Sequence, residues 1–376
     1  MSSTDSWYEI SAAADVPTPA LVFYPERIRA NIREAVTVAG SAARLRPHVK
    51  THKCPDVVGI MLDYGIERFK CATLAEAAML ARAGASDVLI AYPLVGPNPS
   101  LLCELIRAFP GVSFTATIDS DTTRRMLSDA AKAAGLVVEA ALDIDVGMHR
   151  TGAASPTDAI SLVLQIDADP NLAPGGIHAY DGHVHESDPQ RRRELVATTI
   201  ALVRELAGEL RRRGVPVPRV TAGGTPTFPC YAAGAPEFEL SPGTCFLHDW
   251  GYLRRYPDLA FDPAALILGR VISLTGDRRF TIDVGSKAIA ADPPGERGTI
   301  LNLPGSQPLG QSEEHWVFRA GDRVPEPGDL VYVLPAHICP SVALHDRALT
   351  VDGDGTMGEP WPITARERWR SEEMTR

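Results

Sequence analysis

Along residues 43–246, short runs of apolar and β-branched residues alternate with longer stretches of helical period. The runs "ARLRPHVK", "RFKCAT", "DVLIAY", "FTATID", "VEAALDIDVG", "GGIHAYDG", "RVTAGG" and "EFELSPGTCF" read as strands, eight in all. Between them lie helical segments such as "DTTRRMLSDAAKAAG", with Asp121 as its N-cap and Gly135 as its stop, and "DPQRRRELVATTIALVRELAGELRRRG", opened by Asp188 and ended by Gly214. This α/β alternation predicts a (β/α)8 TIM-like barrel over residues 25–254, with a doubly wound open sheet as the alternative. Beyond residue 254 the text changes to strand and turn, rich in Pro, Gly and Asp, as in "ALILGRVISLTGDRRFTIDVG" and "DRVPEPGDLVYVLPAHICP". Residues 255–376 are therefore expected to form a second, mostly β domain, joined by residues 1–24, whose strand "ALVFY" precedes the first helix.

The two-residue period of a strand adds chemistry to this outline. In "RLRPHVK" it puts Leu45, Pro47 and Val49 on one face and Arg44, Arg46, His48 and Lys50 on the other. With the apolar face toward the helices, Lys50 points into the barrel at the C-terminal end of its strand, the end where barrel enzymes keep their chemistry. Burial and positive neighbours favour the neutral amine, so Lys50 is a candidate Schiff-base nucleophile; a structural charge in a polar lumen is the competing reading. Of the other lysines, Lys53 falls in the following loop, Lys132 in a helical pattern and Lys287 in the second domain, which leaves Lys70, on the next strand, as the one serious rival.

Composition excludes more than it assigns. A net charge of -10 and a pI near 5.5 give no broad positive field for nucleic acid. The polar start "MSSTDSWYEISAAAD" lacks the basic and apolar regions of a signal peptide, and no uncharged stretch is long enough to span a bilayer, so a cytoplasmic protein is expected. The six cysteines lie far apart without a CxxC, which fits reduced thiols or a metal ligand better than a disulfide framework.

Six segments in order carry a resemblance: "RPHVKTHK", "DIDVGMHRTG", "GIHAYDGHVH", "AGGTPTF", "ELSPGT" and "PAHICPSVALHD". Together they resemble the D-threonine aldolase and D-serine dehydratase family, pyridoxal-phosphate enzymes of the alanine-racemase-like fold type. The resemblance implies a homodimer, a cofactor at the barrel mouth and a divalent metal beside it, zinc or manganese. It makes Lys50 the lysine of the internal aldimine and counts its neighbour His48 among the cofactor-binding residues. Arg150 falls where the family has an arginine near the pyridine ring, and Tyr180 matches a tyrosine of its "AY" segment; a surface ion pair and ordinary core packing are their plain alternatives. Glycine-rich turns with free amides at the last two strands of a barrel recurrently hold phosphate, which singles out Gly223, Gly224, Thr225 and Thr227, with Gly243 and Thr244. His337 and Cys339, at i and i+2 on a segment read as extended, point the same way and offer a donor pair suited to zinc at the family's metal position.

The substrate implied is a small D-3-hydroxy amino acid. Loss of the Cα proton to Lys50, with a metal on the β-hydroxyl, gives dehydration to a 2-oxo acid and ammonia; removal of the hydroxyl proton by His185 or His183 gives retro-aldol cleavage to glycine and an aldehyde. Family dehydratases carry His-x-Cys, as here, whereas aldolases usually carry aspartate in place of the cysteine, so a D-serine or D-3-hydroxyaspartate type of dehydratase is the favoured reading and D-threonine aldolase the alternative. A pyridoxal-phosphate protein without catalysis is the reading from another class.

Overall fold

Seven parallel strands follow one another in chain order around a single sheet: β2 (Arg68–Cys71), β3 (Asp87–Ile90), β4 (Ser113–Ile118), β5 (Val138–Asp143), β6 (Leu172–Ala179), β7 (Val220–Ala222) and β8 (Glu239–Leu240), with β1 (Ala20–Phe23) lying outside it. The computed structural model describes residues 7–292 and 294–368. These divide into a barrel unit, Ala35–Lys50 with Val58–Gly243, and a β unit, which takes the chain up to Glu34, Thr51–Val57 and Thr244–Arg366.

Residues 45–49 supply the eighth stave of the barrel. Arg46 and His48 donate their amides to Leu240 and Pro242 carbonyls at 2.8 Å, and across the other edge Val49 N donates to Lys70 O at 2.9 Å while Lys70 N donates to Pro47 O at 2.8 Å. The ring is thereby closed, as the eight apolar runs predicted. This stave makes isolated parallel bridges, Leu45 to Leu240 and His48 to Lys70, because Pro47 has no amide to continue a ladder. β8 is likewise shorter than its sequence run, since Pro242 and Gly243 follow it directly.

Two local expectations are corrected. The 121–134 helix is capped by Ser120, whose hydroxyl accepts from Thr123 N in a reciprocal capping box, and Asp121 is the first helical residue instead. Its stop is as read: Gly135 ends it at φ 64°, a left-handed conformation that glycine adopts without strain. Arg44 does not join the inner face of the first stave. It lies in a 3-10 turn, Ala42–Arg44, and donates to the carbonyls of Ala39, Ala232 and Ala235. Asp188 does cap the long helix Pro189–Arg212, accepting from Arg191 N at 2.7 Å.

The start of the barrel strands is closed by charge. Arg46, fully buried, donates to both Asp87 and Glu239, and Arg219 donates to Glu139 and Thr115 beside them. Asp87 opens β3 and Glu239 opens β8, so this network fills the end opposite the one that carries Lys50.

The β unit is a nine-stranded sheet built on β9 (Ala265–Leu274), which pairs with β1, β10 (Arg279–Ile282) and, in a branch, β11 (Leu330–Pro335). The early strand does return to this sheet: β1 runs antiparallel to β9 and parallel to the strand Arg347–Thr350. Val22, Leu266, Leu268, Tyr332 and Val351 form its core with Ile10, Ala13 and Val16 of the leading segment. Among the described residues no helix is long and apolar enough to cross a membrane.

Candidate active site

At the C-terminal end of the barrel strands, three cations surround one aromatic ring. Lys50 Nζ lies 5.8 Å from the Tyr180 ring centroid, Lys70 Nζ 5.2 Å and Arg150 Cζ 5.2 Å. The local fold dictates this meeting. Lys50 follows the first stave by one pleat, Lys70 stands on β2 level with His48, Arg150 comes from the loop after β5, and Tyr180 follows the last residue of β6. Tyr180 is pressed against residues that carry no side chain: a Cβ on Gly182 would stand 2.4 Å from the ring, and one on Gly224 3.2 Å. His48 accepts the Lys50 amide at 3.4 Å, which ties the two residues at the turn.

Beneath the mouth lies an imidazole that sequence reasoning passed over. His178 Nδ1 is 2.7 Å from Asp143 Oδ1, and the other carboxylate oxygen accepts from Thr151 Oγ1 at 2.8 Å. His178 is buried, which lowers its pKa against the opposing pull of Asp143, so the neutral ring prevails at neutral pH. In that form Nδ1 carries the proton toward Asp143, and Nε2, buried without a partner, presents a lone pair. Burial works against the Asp143 anion, yet His178, Thr151 and Lys70 together hold its carboxyl below the usual range. A small cleft beside the pair is lined by Asp145, Met148, Arg150 and Tyr180.

The glycine turn after β7 sits against Tyr180. Gly223 adopts φ 81°, Gly224 N donates to Thr227 Oγ1 at 3.0 Å, and that hydroxyl donates to Asp181 at 2.9 Å. Gly243 N donates to Thr225 Oγ1 at 3.3 Å. The sequence suggested free amides here; the two of Gly224 and Gly243 are instead taken by threonine hydroxyls, which fix the turn. Thr244 belongs to the β unit, where its hydroxyl lies 3.4 Å from Cys339 Sγ. His183 and His185 are exposed residues of the segment after β6, and the His183 ring covers Gly147 so closely that a Cβ there would lie 2.9 Å from Nε2.

His337 and Cys339 meet by a different geometry from the one read in the sequence. His337 is extended and caps the helix Ile338–Ala343, so Cys339 lies inside a helix rather than two pleats along a strand. The imidazole and thiol still interact. Burial opposes a charge on His337, but Cys339 and then Asp292, whose Oδ2 is 2.6 Å from Nδ1, outweigh it and push its pKa up to about 9. Cys339 Sγ also meets Thr51 Oγ1 at 3.1 Å. Among the described residues no group of three or more His, Cys, Asp or Glu side chains converges as a metal site. Asp283, Glu314 and Asp346 are spent on Thr18, Lys287 and Arg347.

Residues 25–247 match the family described as alanine racemase, N-terminal domain, and residues 264–351 match a putative serine dehydratase domain. The chain belongs to the alanine racemase N-terminal domain family. A D-threonine aldolase of Arthrobacter sp is 30% identical over 362 residues, covering 94% of this chain and 93% of that protein. A D-threo-3-hydroxyaspartate dehydratase of Delftia sp. (strain HT23) is 27% identical over 364 residues, 89% of this chain and 95% of the relative. The crystal structure of a D-threonine aldolase from Filomicrobium marinum superposes with a TM-score of 0.88 at 28% identity, covering 95% of this chain and 98% of that one. The chain is thus an enzyme of the lyase class within a pyridoxal-phosphate fold family. Against this family background, the sequence drew Lys50, Arg150, Tyr180 and the glycine turn into one unit, and the structure gathers them there. It missed the His178–Asp143 pair, although "HAY" on a strand already puts His178 and Tyr180 on one face.

Proposed function

We propose that this lyase acts on D-3-hydroxy amino acids by dehydration, releasing a 2-oxo acid and ammonia. The observation that carries the cofactor part is the set of three cations around Tyr180 beside side-chain-free Gly182 and Gly224. A flat, anionic ring compound such as pyridoxal phosphate fits those residues: an amine to bond its aldehyde, cationic neighbours, and an aromatic plate that Gly182 and Gly224 allow to settle in place. When bound, pyridoxal phosphate supplies an electron sink for a bond broken at Cα.

The chain's own residues have the following parts in this reading. Lys50 would provide the amine that holds the cofactor, and its Nζ would also be the atom that receives the Cα proton. Tyr180 supports the ring, Arg150 stands near its edge, and His48 orients the turn that carries Lys50. Gly223, Gly224, Thr225, Thr227 and Gly243 shape the phosphate end. His337 and Cys339 are the donors for a divalent ion; an imidazole and a thiolate suit zinc, and two protein donors leave positions for water and substrate oxygen. A divalent ion held there would supply Lewis acidity. The cysteine in the pair supports dehydration over carbon–carbon cleavage.

Retro-aldol cleavage remains as a second reading because the Arthrobacter relative, at 30% identity, is a D-threonine aldolase. His183 or His185 would then take the hydroxyl proton. Incubating the holoprotein with D-threonine and identifying products decides between them: 2-oxobutanoate with ammonia supports dehydration, and glycine with acetaldehyde contradicts it. A homodimer and a cytoplasmic setting belong to the same proposal.

A further inference from the structure

We infer that Lys70 is a second amine of the cofactor site, a positioning residue whose charge sets how tightly Lys50 holds a proton when bonded to the cofactor. The inference rests on the pyridoxal-phosphate reading above, which counts Lys70 among three cations, and gives that residue a part of its own.

Three observations meet at Lys70. It stands on β2 level with His48 across a parallel bridge, so its side chain shares the inner face of the barrel with His48, and it is 1% exposed. Its ammonium nitrogen lies 5.2 Å from the Tyr180 ring centroid, under the same ring as Lys50. The charged and titratable groups that face it are Lys50 and His48 from the first stave, Asp143 from β5, Arg150 from the following loop, His178 from β6, and Asp181 just beyond Tyr180. Both carboxylates are engaged elsewhere, Asp143 by His178 and Thr151, and Asp181 by Thr227.

A buried ammonium in this company is poorly compensated. Burial first, then the charge of Lys50, pushes the Lys70 pKa down to about 7. Charge interaction is mutual, so whatever Lys50 does to Lys70 in this low-dielectric interior, a charged Lys70 does to the nitrogen of Lys50. Beside a bound anion Lys70 would hold its proton more firmly, and its charge would be felt at the nitrogen of Lys50. Proton affinity at that bond is what the enzyme needs to tune, because it governs both exchange with substrate and the base that Lys50 becomes.

The test is a spectrophotometric pH titration of the holoprotein's visible absorption band in wild type, K70M and K70R. In K70M the midpoint is expected to rise by about one unit or more, a tenfold gain in proton affinity, because a neighbouring cation is gone; K70R is expected to titrate with wild type. A K70M midpoint equal to wild type overturns the inference, and so does an equal shift in K70M and K70R, which reports packing instead of charge. If K70M does not fold, as thermal unfolding will tell, K70Q supplies a neutral side chain of similar reach and is held to the same outcomes. A wild-type protein that takes up pyridoxal phosphate without any visible band overturns the cofactor reading itself, an outcome distinct from a band that fails to move.

Discussion

Arg46 has no exposed surface and places its two terminal nitrogens 2.8 Å from the two carboxylate oxygens of Asp87, a bidentate pair sealed inside the barrel. Its third nitrogen, Nε, donates to Glu239 at 2.6 Å. Removing the cation leaves two carboxylates of 18% and 12% exposure without their main partner. Breaking such a buried pair from one side costs about 3–5 kcal/mol, so Arg46→Met is expected to lower urea stability by that order. Arg68, 46% exposed on the same Glu239, is expected to cost less than about 1 kcal/mol when replaced by Ala. Equal losses in the two variants would contradict the account of the barrel floor.

Acid should act through the same pair. Burial works against the Asp87 anion, but Arg46 by hydrogen bond and charge, with Arg219 and Arg68, holds its carboxyl below the usual value. A depressed carboxyl contributes stability that is present above the unfolded value of about 3.9 and is lost as pH falls through the folded one. Asp143, depressed by His178, adds a contribution of the same sign. The share of the urea midpoint that Asp87 controls, read as the difference between wild type and Asp87→Asn, is thus expected to be constant above about pH 4 and to shrink below it. Asp87→Asn, less stable from the outset, should fall less steeply; an unchanged acid slope in that variant would locate the loss elsewhere.

Gly182 tests the role of Tyr180 without altering any charged group. An added Cβ would stand 2.4 Å from the ring, a separation that forces the ring aside. Gly182→Ala is expected to keep most of its thermal stability while binding pyridoxal phosphate at least tenfold more weakly, measured by equilibrium dialysis. Unaltered affinity would mean the ring does not support the cofactor.

Asp292 is placed to steer His337 through the 2.6 Å contact on Nδ1. Carboxylates that hold a metal-binding imidazole in this way typically change metal affinity by about 10–100-fold when removed. Asp292→Asn is expected to weaken zinc binding within that range, and Cys339→Ala to weaken it more, both read by competition with a chelator dye. Wild-type affinity in Cys339→Ala would remove the pair from the proposal.

Much of the fold was legible because it is periodic. Eight apolar runs became seven strands and one bridged stave, and Gly135 and Asp188 ended and began their helices as turn and cap chemistry requires. What escaped was set by contacts between distant segments. Nothing in "VEAALD" says that Asp143 will meet His178, since only the adjacent packing of β5 and β6 brings them together. Arg44 looked like a strand residue because its neighbours alternate, yet three carbonyls at helix ends claimed its guanidinium. The His337–Cys339 contact was reached by the wrong route: the i, i+2 argument holds on a strand, and the chain becomes helical at Ile338.

The central claim is that Lys50 is the amine that bonds the cofactor, and reduction of the pyridoxal-phosphate-loaded protein with borohydride followed by peptide mapping addresses it directly. The account predicts a single stable pyridoxyl modification on Lys50. A modification on Lys70 in the wild-type protein, or none on either lysine, would contradict it.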